Sequence, residues 1–353
     1  MPTDGYGGSP RFAWVAGRCG AMPEGDSLVR LADRLRPVLE GQELARTDFR
    51  VPRLATLDLA GLTVRTVQPW AKYLLIELNG AEGPGGAGAR DLTVLSHLRM
   101  EGRWEAYPLL GPDGGRATPR WRHPGWQARC VLETARDQVV GFSLGLLEVL
   151  PRDQVAQRLE FLGPDLLDPG WQQPERAEVL LEESVQRLKE QPDRPIGLAL
   201  LDQRLVSGIG NIYRCEALLL AGLDPHRPVS SVPDLPGLIA LARDLMRVNT
   251  APAAPGRPAP RRTTTAVVPD PSAPFGVRVL DAVATTGAGA ERGAPPSPGR
   301  RPAAGPRGRD PLYWVYGRRR DGCLRCGGPV TVEDLGEGSG QERTLYWCRH
   351  CQR

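Results

Sequence analysis

Lysine is nearly missing from this sequence. Of 45 basic residues only two, Lys72 and Lys189, are not arginine. An arginine-biased composition explains the general pattern, yet it turns each lysine into a position where arginine would not serve. Arginine cannot release its proton in a protein and lysine can, so Lys72 and Lys189 are candidates for proton transfer. Long apolar runs are missing too. No stretch reaches eighteen apolar residues, so no membrane span is implied. Residues 1–21 lack the basic start and apolar stretch of a secretory signal, and a cytoplasmic protein is the expectation. The seven cysteines are odd in number, which argues against a disulfide framework. Cys19, Cys130 and Cys215 are scattered and read as buried or incidental thiols. The chain also lacks a strong charge of either sign, with a net of +4 over 353 residues, a length with room for two or three domains.

What is present changes character along the chain. After a Gly-rich, unpatterned stretch over 1–21, Leu28, Leu31, Ala32, Leu35 and Leu39 recur at helical spacing, with Asp26 or Ser27 as the expected cap. From about Val51 to Leu150 the pattern becomes that of strands. Leu92, Val94, Ser96 and Leu98 alternate with other residues, and a turn is expected at 135–138 within Arg129–Phe142. Helices follow at about 177–191, 195–205, 211–221 and 236–248, with Gly222 at a helix C-terminus. Residues 251–310 then hold 12 Pro, 8 Gly and nine Arg against four acids. Their net charge of +5 leaves the remainder of the chain close to neutral. Such a composition buries too little apolar surface to offset ordering, so a disordered basic linker is expected. The fold class is α+β, with a helix plus β-sandwich domain over 22–150, a helical domain over 151–250, the insert over 251–310 and a compact C-terminal unit over 311–353.

That last unit carries the strongest purely chemical signal. Cys323 and Cys326 form one C-x-x-C knuckle, and Cys348 and Cys351 form another. Four thiolates at such spacing make a closed tetrahedral site for one structural zinc ion, with no open position for catalysis. Ribbons of this kind occur in transcription, translation and repair proteins, so the zinc motif alone does not give a function.

Four pieces, read together and in order, resemble one family. Met22-Pro-Glu-Gly-Asp26 looks like its N-terminal signature. Lys72, in Trp70-Ala-Lys-Tyr-Leu-Leu75, sits where the family has a strand-borne lysine. Gly208-Ile-Gly-Asn-Ile-Tyr-Arg-Cys-Glu216, running on to Pro225, looks like its helix–two-turn–helix motif. Val315-Tyr-Gly-Arg318 and the four cysteines look like its zinc finger. The chain thus resembles the formamidopyrimidine-DNA glycosylase/endonuclease VIII family, and its endonuclease VIII-like branch more closely.

The resemblance implies a bifunctional DNA glycosylase and abasic-site lyase of base excision repair, acting on damaged double-stranded DNA as a monomer held at the nucleoid through its DNA. Oxidised pyrimidines are the first expected substrates. By resemblance Pro23 is the nucleophile and Glu24 an acid/base group beside it. Lys72 contacts phosphate and helps proton transfer, and Arg343 holds phosphate and assists a second elimination. Arg99 and Met100, in His97-Leu-Arg-Met100, are placed as the wedge that fills the gap left by a flipped nucleotide. Asn211, at a helix start after Gly208 and Gly210, belongs to an expected phosphate site, and Arg318 is a further expected DNA contact.

Three features depart from the family pattern. An internal proline nitrogen is an amide without a nucleophilic lone pair, so residues 1–21 are expected to be absent from the mature enzyme, through a start at Met22 or removal. Ser27 stands where the family often has glutamate. The 251–310 insert separates the helical part from the ribbon, with 284–287 as a candidate remnant of the family linker. The extension also favours the alternative function, a non-catalytic protein that binds damaged DNA or abasic sites.

Overall fold

The computed structural model describes residues 23–79, 91–110, 115, 117–251, 261–280, 312–338 and 342–353. Helix α1 (Gly25–Leu39) buries the expected leucine stripe, Leu28, Leu31, Leu35 and Leu39, and packs along the second strand. Its N-cap is Glu24 rather than Asp26 or Ser27. Ser27 accepts from the Glu24 N–H at 3.4 Å, while Asp26 is turned inward and buried. At the other end the Glu40 carboxylate accepts from Val67 N–H at 2.7 Å, which pins the helix to the sheet.

Eight strands follow: β1 (Arg46–Phe49), β2 (Thr63–Trp70), β3 (Tyr73–Asn79), β4 (Leu92–His97), β5 (Arg103–Pro108), β6 (Ala128–Glu133), β7 (Asp137–Phe142) and β8 (Leu146–Pro151). They form two antiparallel four-stranded sheets, ordered β2-β3-β4-β8 and β1-β6-β7-β5. The expected strand β4 and the turn between β6 and β7 are present, but β4 is buried on both faces, Val94 in the sandwich and Leu95 against Val155 and Leu159. Val64, Val67, Leu74, Ile76 and Val94 of one sheet meet Phe49, Trp104, Cys130, Leu132 and Val139 of the other, together with the α1 stripe. Within this core the Trp104 indole N–H donates to Ser96 Oγ at 3.1 Å, so the one polar group of a large ring is satisfied across the sandwich. Helix α2 (Arg152–Leu159) was not expected from sequence. Only Val155 and Leu159 of its eight residues are buried, too short a stripe to reveal a period.

The second half is helical: α3 (Pro174–Lys189), α4 (Ile196–Ala199), α5 (Asn211–Ala221) and α6 (Leu235–Arg247). The helix expected over 195–205 is only the short α4. It stops where Asp202 accepts the Arg204 N–H at 3.0 Å, a local side-chain bond that competes with helical pairing. Gly222 ends α5 in the left-handed conformation, with φ 71°, as expected. The ribbon hairpin, β11 (Thr331–Leu335) and β12 (Arg343–Trp347), adds Leu345 and Trp347 to the core built by α5 and α6, joined by Trp314 and Val315. Among the described residues no helix is long and apolar enough to cross a membrane.

One expectation is corrected. Residues 261–280, inside the segment read as a disordered linker, are folded. They form a small hairpin of β9 (Val267–Pro269) and β10 (Val277–Val279) that packs on α6. The Asn249 side chain holds Thr263 by both its N–H and its carbonyl, each at 2.8 Å. Averaging composition over sixty residues concealed a short stretch of threonines and alternating valines able to pair. The candidate remnant at 284–287 lies outside the described residues.

Glu216 of α5 locks these pieces together. Its carboxylate is fully buried and accepts the N–H groups of Trp314, Val315 and Tyr316 at 2.7–2.9 Å, and the Thr264 hydroxyl. Glu216→Ala strands these donors in the core and is expected to cost about 3 kcal/mol. Urea denaturation of the two proteins measures this, and a loss below about 1 kcal/mol would contradict a locking role.

Candidate active site

Lys72 occupies the two-residue turn between β2 and β3 rather than a strand. Its neighbour Ala71 has φ 53°, a left-handed conformation costly to a residue with a Cβ. Asp165, from the connection after α2, holds that turn. Its Oδ2 accepts Ala71 N–H at 2.7 Å and its Oδ1 accepts Leu167 N–H at 3.0 Å. Burial raises the Asp165 carboxyl to about 6. Burial also lowers the Lys72 ammonium to about 8, with Glu24 opposing the shift and Arg343 adding to it. Lys72 is therefore placed and tuned by groups distant in sequence. Asp165 gave no sequence signal at all.

Glu24 crosses from the N-terminal domain to the start of α5. Its carboxylate accepts Gly210 N–H at 3.0 Å and Ile212 N–H at 2.8 Å, with Tyr213 N–H at 3.5 Å. A Cβ on Gly210 would lie 2.5 Å from the Glu24 carboxyl carbon, so only glycine allows this approach. Burial raises the Glu24 carboxyl above its ordinary value; Arg262 and Lys72 oppose the shift and Asp26 adds to it. The helix N-terminus expected to bind phosphate is thus occupied by the protein's own carboxylate. Asn211 is similarly engaged. Its side-chain N–H donates to Thr344 O at 2.7 Å and its carbonyl accepts from the buried Arg214.

Pro23, Lys72, Arg99, Met100, Asn211 and Arg343 all line one cleft of about 560 Å³. Glu24 lies beneath it, fully buried. Arg343 is exposed at the first residue of β12, paired in register with Leu335 at the hairpin tip. On the opposite wall Arg99 has φ 51° and its N–H donates to His97 Nδ1 at 2.9 Å. This tight turn leaves Met100 62% exposed, an apolar side chain presented to solvent at the cleft edge. The Arg99 side chain lies over Gly145, where a Cβ would come within 2.4 Å of it. His97 opens the motif that ends in Met100. It also lines the cleft, and burial with Lys72 and Arg99 nearby lowers its imidazole to about 4, so it is neutral at physiological pH. Arg194 also lines the cleft, bridged to Asp202 at 2.7 Å and to Glu337 of the ribbon at 2.6 Å. The other lysine, Lys189, is exposed at the end of α3 and away from the cleft.

The four ribbon cysteines converge as their spacing requires, with all four Sγ atoms within 4.8 Å of one another. Cys323 and Cys351 are 4.0 Å apart, and Cys326 and Cys348 are 3.5 Å apart. Tetrahedral zinc thiolate bonds place sulfurs about 3.8 Å apart, so the donor set fits one metal ion. Arg318 is not in the cleft. Its Nε donates to Gly322 O at 2.8 Å and closes the turn into the first knuckle. Cys130 and Cys215 are buried thiols, and Cys19 lies outside the described residues.

Comparison with known proteins agrees with this architecture. The formamidopyrimidine-DNA glycosylase N-terminal domain matches residues 22–143, and the formamidopyrimidine-DNA glycosylase H2TH domain matches residues 171–248. The chain is 37% identical over 334 residues to a protein named probable endonuclease 8 2 from Streptomyces coelicolor, covering 94% of each. It is 33% identical to the DNA-(apurinic or apyrimidinic site) lyase Nei2 of Mycolicibacterium smegmatis, covering 94% of this chain and 99% of that one. Among solved structures, a Lactococcus lactis formamidopyrimidine-DNA glycosylase bound to DNA containing an abasic site superposes with a TM-score of 0.59 at 20% identity, covering 94% and 99% of the two chains. With both family domains matched in order, and full-length relatives above 30% identity, the chain belongs to the formamidopyrimidine-DNA glycosylase/endonuclease VIII family.

Proposed function

We propose that the protein is a base-excision-repair enzyme that removes oxidised bases, pyrimidines first among them, and then cuts the strand at the resulting site. The observation that carries this reading is the convergence of Pro23, Glu24, Lys72 and Arg343 at one cleft, although Pro23 and Arg343 stand at opposite ends of the chain. The relatives named endonuclease 8 and abasic-site lyase support the same reaction class.

The chemistry needs Pro23 as a free secondary amine, which follows once Met22 and everything before it are absent. The domain match beginning at Met22 supports that boundary. The amine attacks C1′ of the damaged nucleotide and the C1′–base bond breaks; the nitrogen then gives up its proton, and opening of the C1′–O4′ bond, with O4′ taking that proton, leaves an iminium joining protein and sugar. A proton delivered to the sugar or the leaving base balances this step, and Glu24, whose carboxyl is raised by burial, is suited to donate it. The iminium acidifies C2′–H. Loss of that proton to a base expels the 3′ phosphate, and a second elimination on the 5′ side releases the sugar. Lys72 and Arg343 supply positive charge to the departing phosphates. Met100 and Arg99 hold the opened duplex. The four ribbon thiolates would hold one structural zinc ion, which would fix the hairpin bearing Arg343.

Sodium borohydride reduces such an iminium to a stable amine. Protein beginning at Pro23, mixed with a duplex carrying an abasic site, is expected to yield a covalent complex with DNA. One extra residue ahead of Pro23 should abolish it. Intact binding without any trapped complex would instead favour the damage-binding alternative.

The pH dependence has a defined sign. The Pro23 amine attacks only when unprotonated, so the rate rises through the usual α-amino range near pH 8. Lys72 carries charge only below its value of about 8, so the rate falls above it, and the profile of strand nicking is a narrow bell. Lys72→Arg, which cannot titrate, should lower the rate but remove the alkaline fall. Persistence of that fall would assign it to another group. Elemental analysis of purified protein should find one zinc per chain, and Cys326→Ser should reduce that content; unaltered zinc would place the metal elsewhere.

A further inference from the structure

We propose that Arg262 is a positioning residue for this reaction: by forking onto Asp26 it fixes the first turn of α1, and with it the Pro23–Glu24 dipeptide, against the helical domain. This rests on the function proposed above and assigns a role to the segment that composition alone marks as a spacer. The Arg262 Nε donates to Asp26 Oδ2 at 2.7 Å and its Nη2 donates to Oδ1 at 2.6 Å. Nη2 also reaches Ser27 Oγ. Both partners are withdrawn from water, with side-chain exposures of 10% for Arg262 and 1% for Asp26.

The fork is anchored at its base. Thr263 is held by Asn249, and Thr264 by Glu216. The guanidinium also sits 5.6 Å from the centre of the Tyr213 ring, in the first turn of α5, whose backbone faces Glu24. One side chain therefore touches both halves of the joint that presents Pro23. It does not line the cleft itself, so it acts through Asp26 and Glu24 rather than on DNA.

Charge gives the fork a second effect. Glu24 and Asp26 flank Gly25 as two buried carboxylates. Lys72, Arg214, Tyr213, Tyr313 and Asp26 also face Glu24, but Arg262 is the foremost influence opposing burial for both acids. Without it the like charges share a low-dielectric pocket, and one must hold its proton to higher pH.

The test uses zinc-loaded protein that begins at Pro23 and is otherwise complete, with Arg262→Gln, Arg262→Lys, Asp26→Asn and the Asp26→Asn/Arg262→Gln pair. Two quantities are measured between pH 5.5 and 9: single-turnover elimination on a duplex with a preformed abasic site, and binding to a duplex with an uncleavable tetrahydrofuran site. Arg262→Gln is expected to slow elimination about 10- to 100-fold through misplacement of the amine, with affinity changed by less than about threefold because no phosphate contact is lost. Its acidic limb, set by the Pro23 amine, should move to higher pH, because loss of a nearby cation favours the protonated amine. Arg262→Lys should retain the wild-type limb, since the charge remains, but stay slow because an ammonium cannot fork. The paired variant should recover part of the loss, since it removes both members of the ion pair. If Arg262→Gln fails to fold, the contrast between Arg262→Lys and Asp26→Asn decides by the same readouts. A wild-type rate and profile in the Arg262 variants, or a loss that follows DNA affinity alone, would overturn the assignment. If wild type itself gives no trapped complex, the proposed function falls and this role with it; if wild type is trapped and the variants match it, only the role of Arg262 falls.

Discussion

The carboxylate of Glu24 is the constraint on which the active site depends. It leaves the N-terminal domain and accepts the N–H groups of Gly210 and Ile212 at the start of α5. A helix N-terminus exposes unpaired amides and the positive end of the helix dipole, so it favours an anion. Here that anion comes from the residue adjoining Pro23. The geometry ties the position of Pro23 to the docking of two domains. Neither domain alone holds Pro23 in place, because half of the bonds that orient its neighbour belong to the other. The absence of a Cβ at Gly210 is a condition of the same contact.

Two further buried carboxylates repeat this solution. Asp165 holds the turn that carries Lys72, and Glu216 gathers three consecutive amides ahead of the ribbon. Burying a carboxylate is costly unless its oxygens are well supplied with donors. Backbone amides fixed by a turn or a helix start supply them without the side-chain entropy that a surface ion pair demands. The sites of Pro23, Lys72 and Arg343 are therefore joined by short, directional bonds from the folded backbone. The hydrophobic core shared by α5, α6 and the ribbon supplies the bulk of the attraction, whereas these carboxylates set register.

The local part of this arrangement was legible in the sequence. The leucine period of α1, the strand β4, the span of α5 and the pairing of the four cysteines all follow from spacing that the backbone geometry imposes. The order of the family motifs located Pro23, Lys72 and Arg343 as one site. Spacing could not reveal that Glu24 caps a helix 186 residues away, or that Arg262 pairs with Asp26 across 236 residues. Such contacts carry no periodicity. The folded stretch at 261–280 was missed for a related reason: its stabilisation comes from Asn249 and Glu216, outside the segment whose composition was judged. Arg318, a motif residue that suggested an external contact, also closes a turn through its Nε, a local role that its motif did not announce.

The scarcity of lysine gains its meaning from this setting. Lys189 is exposed at the end of a helix, where no titration is asked of it. Lys72 is placed between Glu24 and Arg343, where burial lowers its ammonium to about 8 while the same burial raises Glu24. The two shifts bring an acid and a base toward a common range, the condition under which either can hold a proton that the other needs. A glycosylase that is also a lyase requires such an exchange, because the group that delivers a proton as the base departs must be followed by one that removes a proton from C2′. Arginine at position 72 would keep the phosphate attraction but could never take part in that exchange. In a chain otherwise committed to arginine, the chemistry of elimination supplies a physical reason for lysine at this one turn.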